Sequence, residues 1–169
     1  VREQSKEYDK SGEWPKEMYD KAIEMQLHIL DMPEELGGMG LSKVDVAALY
    51  EEMAKADAGF ATTIVCSDLG LKPVMIGGNK EQQQYVADIL MGGGLGCVAL
   101  TEPEAGSDVA NTKTTAVYDA ATDEYVLNGR KCFITNGEFG SIYCIFAATD
   151  KSAGAKGLSC FIVERDSAG

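Results

Sequence analysis

All seven methionines lie between Met18 and Met91, whereas seven of the nine threonines lie between Thr101 and Thr149. Methionine is a good helix former and β-branched threonine suits a pleated surface, so the chain must change from helix to sheet near its middle. The fold class expected is α+β, an all-α helical domain over residues 1–94 followed by an antiparallel β-sheet or barrel domain over residues 95–169, the latter incomplete. With 169 residues, the chain holds one domain of about 150 residues or one plus part of another.

Within the first half, apolar residues at Met18, Tyr19, Ala22, Ile23, Leu27, Ile29 and Leu30 recur mostly three or four apart, and Pro15 can occupy a first turn. One amphipathic helix is expected over residues 15–31. Met18, Met25, Met32 and Met39 are spaced by seven, but Pro33 and Gly37, Gly38 and Gly40 break any heptad, so the spacing is coincidental. Ser42 followed by Asp45 resembles a capping box opening a second helix that Gly59 would stop. Residues 60–76 are apolar nearly all round, which predicts a central buried helix, kinked or broken near Gly70 and Pro73. Asn79 with Gln82 opens a last helix that ends at Gly92 to Gly94.

Six strands are expected in the second half, at residues 97–101, 113–119, 124–127, 130–135, 142–149 and 158–164. Asn128-Gly129 reads as a type I′ hairpin turn, because both central residues of that turn need positive φ.

A formal charge of −12, with no Lys/Arg cluster, opposes a nucleic-acid backbone as partner. The longest nearly unbroken apolar stretch, residues 142–148, is shorter than a membrane helix of about 20 residues, so no membrane span is expected. Five cysteines, Cys66, Cys97, Cys132, Cys144 and Cys160, form no close pair and suit neither a disulfide framework nor a zinc cluster; free thiols in a reducing compartment are expected. His28 is the single histidine, so catalytic triads and two-histidine metal sites lack parts. It reads as a structural or surface residue. The chain begins at Val1 with no basic or apolar leader, although a first residue other than Met weakens that observation.

Gly94-Leu95-Gly96-Cys97-Val98-Ala99 matches the loose dinucleotide pattern, but it follows a helix and opens a strand, the reverse of what phosphate binding requires. The glycine-dense residues 33–40 need only turn the chain. The informative segment is Leu100-Thr101-Glu102-Pro103-Glu104-Ala105-Gly106-Ser107-Asp108, a strand end entering a loop of small and polar residues. A flat conjugated cofactor needs close backbone approach, NH and hydroxyl donors, and an apolar wall. Gly106 permits approach, Thr101 and Ser107 carry hydroxyls, and Phe133 and Thr135, two apart on an expected strand, would share a face. The same residues also suit an ordinary turn with capping hydroxyls and a core phenylalanine.

Residues 101–108, together with Asn128-Gly129-Arg130-Lys131-Cys132-Phe133-Ile134-Thr135-Asn136-Gly137 and the loop at 33–40, resemble the acyl-CoA dehydrogenase family of flavoproteins, in the family's order and over essentially the whole chain. The resemblance implies an FAD-dependent enzyme that forms 2-enoyl-CoA from an acyl-CoA thioester, with electron-transferring flavoprotein as acceptor and a homo-oligomer, a tetramer, as assembly. Fatty acid metabolism in a bacterial cytoplasm or mitochondrial matrix goes with it. A flavin oxidase or monooxygenase on the same scaffold, or a non-catalytic fragment, are the alternatives.

Carried over residue by residue, Val98, Leu100, Thr101, Gly106, Ser107, Phe133, Ile134 and Thr135 would bind the flavin, with Phe133 where the family often has tryptophan and Thr135 reaching toward N5. Ser107 would also touch the acyl-CoA. On the helix from Phe60, Thr62, Val65 and Leu69 lie at i, i+3 and i+7, one face that could meet either the acyl chain or the core. Glu104 and Asn111 stand where many relatives have glycine. The family's catalytic glutamate comes from a C-terminal domain that would follow this segment, so no catalytic base is expected here and the isolated chain is expected to be inactive. Glu102, Glu104 and Asp108 read as loop-stabilising.

Overall fold

The computed structural model describes residues 2–168, and Val1 and Gly169 lie outside the described residues. Pro15, unable to donate from its nitrogen, stands immediately before α2 (Lys16–Glu24), whose buried face is Met18, Tyr19 and Ala22. The helix expected to run to residue 31 stops at Glu24. Gln26 adopts φ +56°, and residues 25–32 continue as turns that bury Ile29, Leu30 and Met32. Burial of three large side chains in a turn outweighs the helical periodicity they display. Ahead of α2 lies α1 (Arg2–Ser11), which the sequence reading did not anticipate. It is strongly polar, and Tyr8 is its contribution to the cluster of Met18, Tyr19, Phe60, Ile64 and Leu95.

The loop after Met32 turns as expected: Gly37 and Gly40 take φ +88° and +59°, and a Cβ at Gly38 would meet the Met32 carbonyl oxygen at 2.2 Å. Ser42 caps α3 (Lys43–Ala56), its hydroxyl accepting from the Asp45 N–H at 3.3 Å. Gly59 does not end that helix. Asp57 separates the two and caps α4 (Ala58–Gly77), accepting from the Phe60 N–H at 2.8 Å. Asn79 and Gln82 form a reciprocal capping box, both bonds 2.9 Å, at the start of α5 (Lys80–Met91).

α4 runs unbroken through Gly70 and Pro73, where a break was expected. The carbonyl that Pro73 leaves without a partner belongs to Leu69, a half-exposed residue, so water can satisfy it. Gly70 serves packing instead: a Cβ there would meet the Cys97 nitrogen and the Gly96 carbonyl carbon at 2.7 Å each. By length and composition α4 alone among the described helices could cross a membrane, which the shorter stretch at 142–148 had obscured. In this fold it is a core helix with Phe60, Ala61, Ile64, Leu71 and Val74 buried, and its one buried carboxylate, Asp68, pairs with Lys72 at 3.1 Å. Gly70→Ala is expected to lower stability by about 2 kcal/mol, because main chain rather than a flexible side chain occupies the space. Chemical denaturation of the two proteins measures it.

The α+β division stands, but the sheet is mixed rather than purely antiparallel. β4 (Ile142–Ala148) is central, with β1 (Gly96–Ala99) parallel on one side and β5 (Leu158–Glu164) antiparallel to it. β2 (Thr115–Asp119) joins β4 in parallel at Thr115↔Ala148 and pairs antiparallel with β3 (Glu124–Asn128). The parallel pairs arise because long connections return β4 beside β1 and β2. The hairpin turn is at residues 120–123, where Asp123 has φ +58°, and not at Asn128-Gly129. Gly129 is needed for close approach, since a Cβ there would lie 2.2 Å from Thr114 Oγ1. Residues 130–135 form no strand. They run beside the loop after β1, held by side-chain and single main-chain bonds described below.

Candidate functional site

Gly70 of α4 and Gly96 of β1 let helix and strand touch backbone to backbone, and the Gly96 N–H donates to Ser67 Oγ at 3.1 Å. This approach sets Cys66 and Leu69 of α4 beside Val98 of β1. The segment after Gly129 then closes the site. Cys132 N–H donates to the Thr101 carbonyl at 3.0 Å, and Lys131 Nζ donates to the Leu100 carbonyl at 3.0 Å and to Glu102 Oε1 at 2.7 Å. Past these ties Phe133 turns with φ +56° and Asn136 with φ +64°, and Asn136 Nδ2 donates to the Thr63 carbonyl at 2.9 Å.

The result is an open hollow of about 180 Å³ lined by Cys66, Leu69, Val98, Phe133 and Thr135. Phe133 and Thr135 therefore meet one space, as expected, although a left-handed turn and not strand alternation brings them there. Phe133 is no core residue: it is 93% exposed, an aromatic ring without cover. Ile134 faces a second hollow of about 270 Å³ with Trp14, Thr63, Asn136, Gly137 and Phe139, and Thr135 borders both. Trp14 stacks on Phe139 there, ring centroids 4.4 Å apart.

Leu100, Thr101, Gly106 and Ser107 do not line the 180 Å³ hollow; their loop is tied to it through Lys131 and Cys132. Glu102 and Ala105 exchange main-chain bonds of 2.9 and 3.2 Å, which makes a tight turn with Pro103 and Glu104 at its exposed tip and Gly106 and Ser107 just beyond. A Cβ at Gly106 would meet nothing within 4 Å. In the β half, the hydroxyls of Thr112, Thr114, Thr115 and Thr149 find partners within the chain, whereas those of Thr101, Ser107 and Thr135, like that of Thr122 in the exposed β2–β3 turn, make no hydrogen bond among the described residues. Unpaired donors, an open glycine and an uncovered aromatic ring are what a flat heteroaromatic group such as an isoalloxazine requires, so the residues present fit FAD.

Of the α4 triad, Leu69 reaches the hollow. Thr62 is exposed with its hydroxyl given to the Ala58 carbonyl at 2.8 Å, and Val65 is half-buried. The face they share is open and not packed into the core.

Glu102 is structural, as expected. Its buried carboxylate accepts from Lys113 N–H at 2.6 Å, from Thr114 N–H at 3.0 Å, from the Thr114 hydroxyl and from Lys131. Burial works to raise its pKa, but these donors, Lys131 foremost, outweigh it and hold the group at about 2. A carboxylate so stabilised is a poor proton acceptor. His28 is buried, its Nε2 2.8 Å from the Leu90 carbonyl, and burial keeps it below the ordinary histidine range. It is structural and belongs to a core remote in sequence from the loop. All five cysteines are free thiols. Cys66 and Lys131 join the site without any local pattern that marks them, because their placement depends on the helix–strand approach and on the 102–131 pairing.

Residues 1–93 match the family description "Acyl-CoA dehydrogenase, N-terminal domain" and residues 97–169 match "Acyl-CoA dehydrogenase, middle domain". An acryloyl-CoA reductase (NADH) of Anaerotignum propionicum is 37% identical over 98% of this chain and 42% of its own length. Butyryl-CoA dehydrogenase from Megasphaera elsdenii superposes with a TM-score of 0.90 at 34% identity, over 98% of this chain and 44% of its own. An acyl-CoA dehydrogenase complexed with FAD from Bacillus anthracis gives 0.79 at 38% identity, over 98% and 27%. This chain thus spans less than half the length of these relatives. Both halves of the chain match in order, and the chain belongs to the acyl-CoA dehydrogenase family.

Proposed function

We propose that the protein is an FAD-dependent acyl-CoA dehydrogenase that removes hydrogen from the α and β carbons of an acyl-CoA thioester to give the 2-enoyl-CoA. The observation that carries this reading is the unpaired Thr135 hydroxyl in one hollow with the uncovered ring of Phe133, next to a loop at 101–107 that is tied to it and whose Thr101 and Ser107 hydroxyls are also unpaired, in a chain that matches the family over both halves. Val98, Phe133 and Thr135, which line one hollow, would wall the flavin; Ile134, whose side chain faces the second hollow, would contribute main chain, and Leu100, Thr101, Gly106 and Ser107 would bring main-chain and hydroxyl donors to it. FAD, when bound, supplies the two-electron acceptor. Ser107 would touch the thioester as well, and Leu69, with Val65 and Thr62 further along the same open face, would follow the acyl chain.

In this reading a base would take the α-proton, and FAD, when bound, would supply the acceptor for the β-hydrogen and its electron pair. Glu102 is tied up by four donors and unsuited to be that base, and the base is proposed to come from a part of the protein beyond these residues, as the family resemblance implies. Electron-transferring flavoprotein as the acceptor, a tetramer, and a bacterial cytoplasmic or mitochondrial matrix location complete the proposal.

The test is anaerobic mixing of the FAD-loaded full-length protein with a panel of acyl-CoA thioesters, and of its reduced form with the matching 2-enoyl-CoA. Bleaching with 2-enoyl-CoA formation in one direction, or reoxidation in the other, supports the reading. An oxidised spectrum unchanged across the panel overturns the substrate class, and failure to take up FAD overturns the cofactor. Thr135→Val, which removes one unpaired donor at nearly constant volume, is expected to slow flavin reduction by about tenfold, equivalent to a buried hydrogen bond of about 1.4 kcal/mol, with little change in stability. Stopped-flow absorbance beside a denaturation curve checks both halves of that statement.

A further inference from the structure

We propose that Lys131 is a positioning residue that sets the redox preference of the flavin through the Leu100–Thr101 peptide, an inference that rests on the FAD reading above. Lys131 Nζ lies in a nearly closed setting, its side chain 10% exposed, between Glu102 Oε1 and the Leu100 carbonyl oxygen. The carboxylate does not depend on it alone, because two main-chain N–H groups and a hydroxyl from Lys113 and Thr114 also point at Glu102. Those three donors hold the carboxylate in place independently of Lys131, whose ammonium bridges it to the Leu100 carbonyl. The positive end remains on the Leu100 carbonyl.

An ammonium on a carbonyl draws electron density from the whole peptide unit and makes its N–H a stronger donor. In this unit the N–H is that of Thr101. It makes no hydrogen bond among the described residues, while the Thr101 carbonyl is already pinned by the Cys132 N–H at 3.0 Å. One main-chain donor in the loop is thus held in place from both sides, polarised by a buried cation, and left open. A ligand whose charge becomes more negative on reduction is favoured in its reduced form by such a donor. A latch that only tied residues 100–102 to 131–135 would serve equally for both redox forms.

The experiment uses the FAD-loaded full-length protein and its K131Q and K131R variants. K131Q retains an N–H donor for Glu102 and Leu100 and removes the charge, whereas K131R restores the charge. Dissociation constants for oxidised and reduced FAD are measured for each, with the midpoint potential as an independent readout. The expectation is that K131Q weakens reduced FAD at least tenfold more than oxidised FAD, a fall of about 30 mV for a two-electron couple, and that K131R recovers most of it. Equal weakening of both forms, or none, in a folded K131Q overturns the inference and leaves the FAD reading intact. If K131Q does not fold, the same ratio is read in E102Q/K131M, which leaves no buried charge without its counter-charge, and an unaltered ratio there overturns it. Failure of the wild-type protein to bind FAD overturns both readings together.

Discussion

Replacing Glu102 with alanine is expected to lower the folding free energy by about 3 to 5 kcal/mol, the range for breaking a buried ion pair by removing one partner. Three consequences combine. Lys131, 10% exposed, is left without a counter-charge; the Lys113 and Thr114 N–H groups lose their acceptor; and the loop from 101 to 108 loses its tie to residues 131–135. The same pair makes stability depend on acid in a stated direction. The Glu102 carboxyl sits at about 2 in the folded chain against an ordinary 4.5, so its contribution is complete above about pH 4.5 and disappears as the pH falls through about 2. Urea denaturation of wild type and variant at pH 7, 4 and 2 measures both. The gap between the two proteins should be widest at neutral pH and close toward pH 2, and a constant gap would refute the carboxylate as its source.

Phe133→Gly is expected to move stability and cofactor affinity in opposite directions. Phe133 holds φ +56°, a conformation that costs a side-chain-bearing residue about 1 to 2 kcal/mol and costs glycine nothing in strain. Its ring is 93% exposed, so its removal forfeits little buried area. After allowance for the extra freedom glycine has in the unfolded chain, the cofactor-free variant should be about 0.5 to 1 kcal/mol more stable. If the ring is the wall of the flavin site, FAD affinity should fall by about 1 to 3 kcal/mol, by analogy with bases stacked on aromatic side chains. Calorimetric titration with FAD, beside thermal denaturation without it, tests the pair. A variant that binds FAD as tightly as wild type would remove Phe133 from the site.

Strain kept at an exposed aromatic, in one hollow with an unpaired threonine hydroxyl, is what a residue serving a ligand rather than the fold would show, and it motivates this test. It is also where reading by strand alternation failed. Alternation brought Phe133 and Thr135 to one hollow for the wrong reason, since residues 130–135 lie outside the sheet. Their positions come from Lys131 and Cys132 bonding back to residues 100–102.

Signals confined to a few neighbouring residues were decided by the sequence itself. The capping residues Ser42, Asn79 and Gln82, the turn at 33–40, and the β5 range Leu158–Glu164 all follow from short-range bonds and periodicity that the rest of the fold does not oppose. The division into a helical and a sheet half belongs with them, since it reflects intrinsic propensities summed over many residues. Tertiary structure decided the rest. Residues 25–31 have helical spacing yet form turns, because burying Leu30, and His28 and Ile29 against the end of α5, outweighs one more turn of helix. Gly70 and Gly129, which read as breaker and turn, are glycine because another backbone segment or side chain occupies the space of a Cβ. The parallel pairing of β4 with β1 and β2, and the meeting of Glu102 with Lys131, join residues far apart in the chain. Such contacts are selected by the free energy of the whole core, which no local pattern encodes.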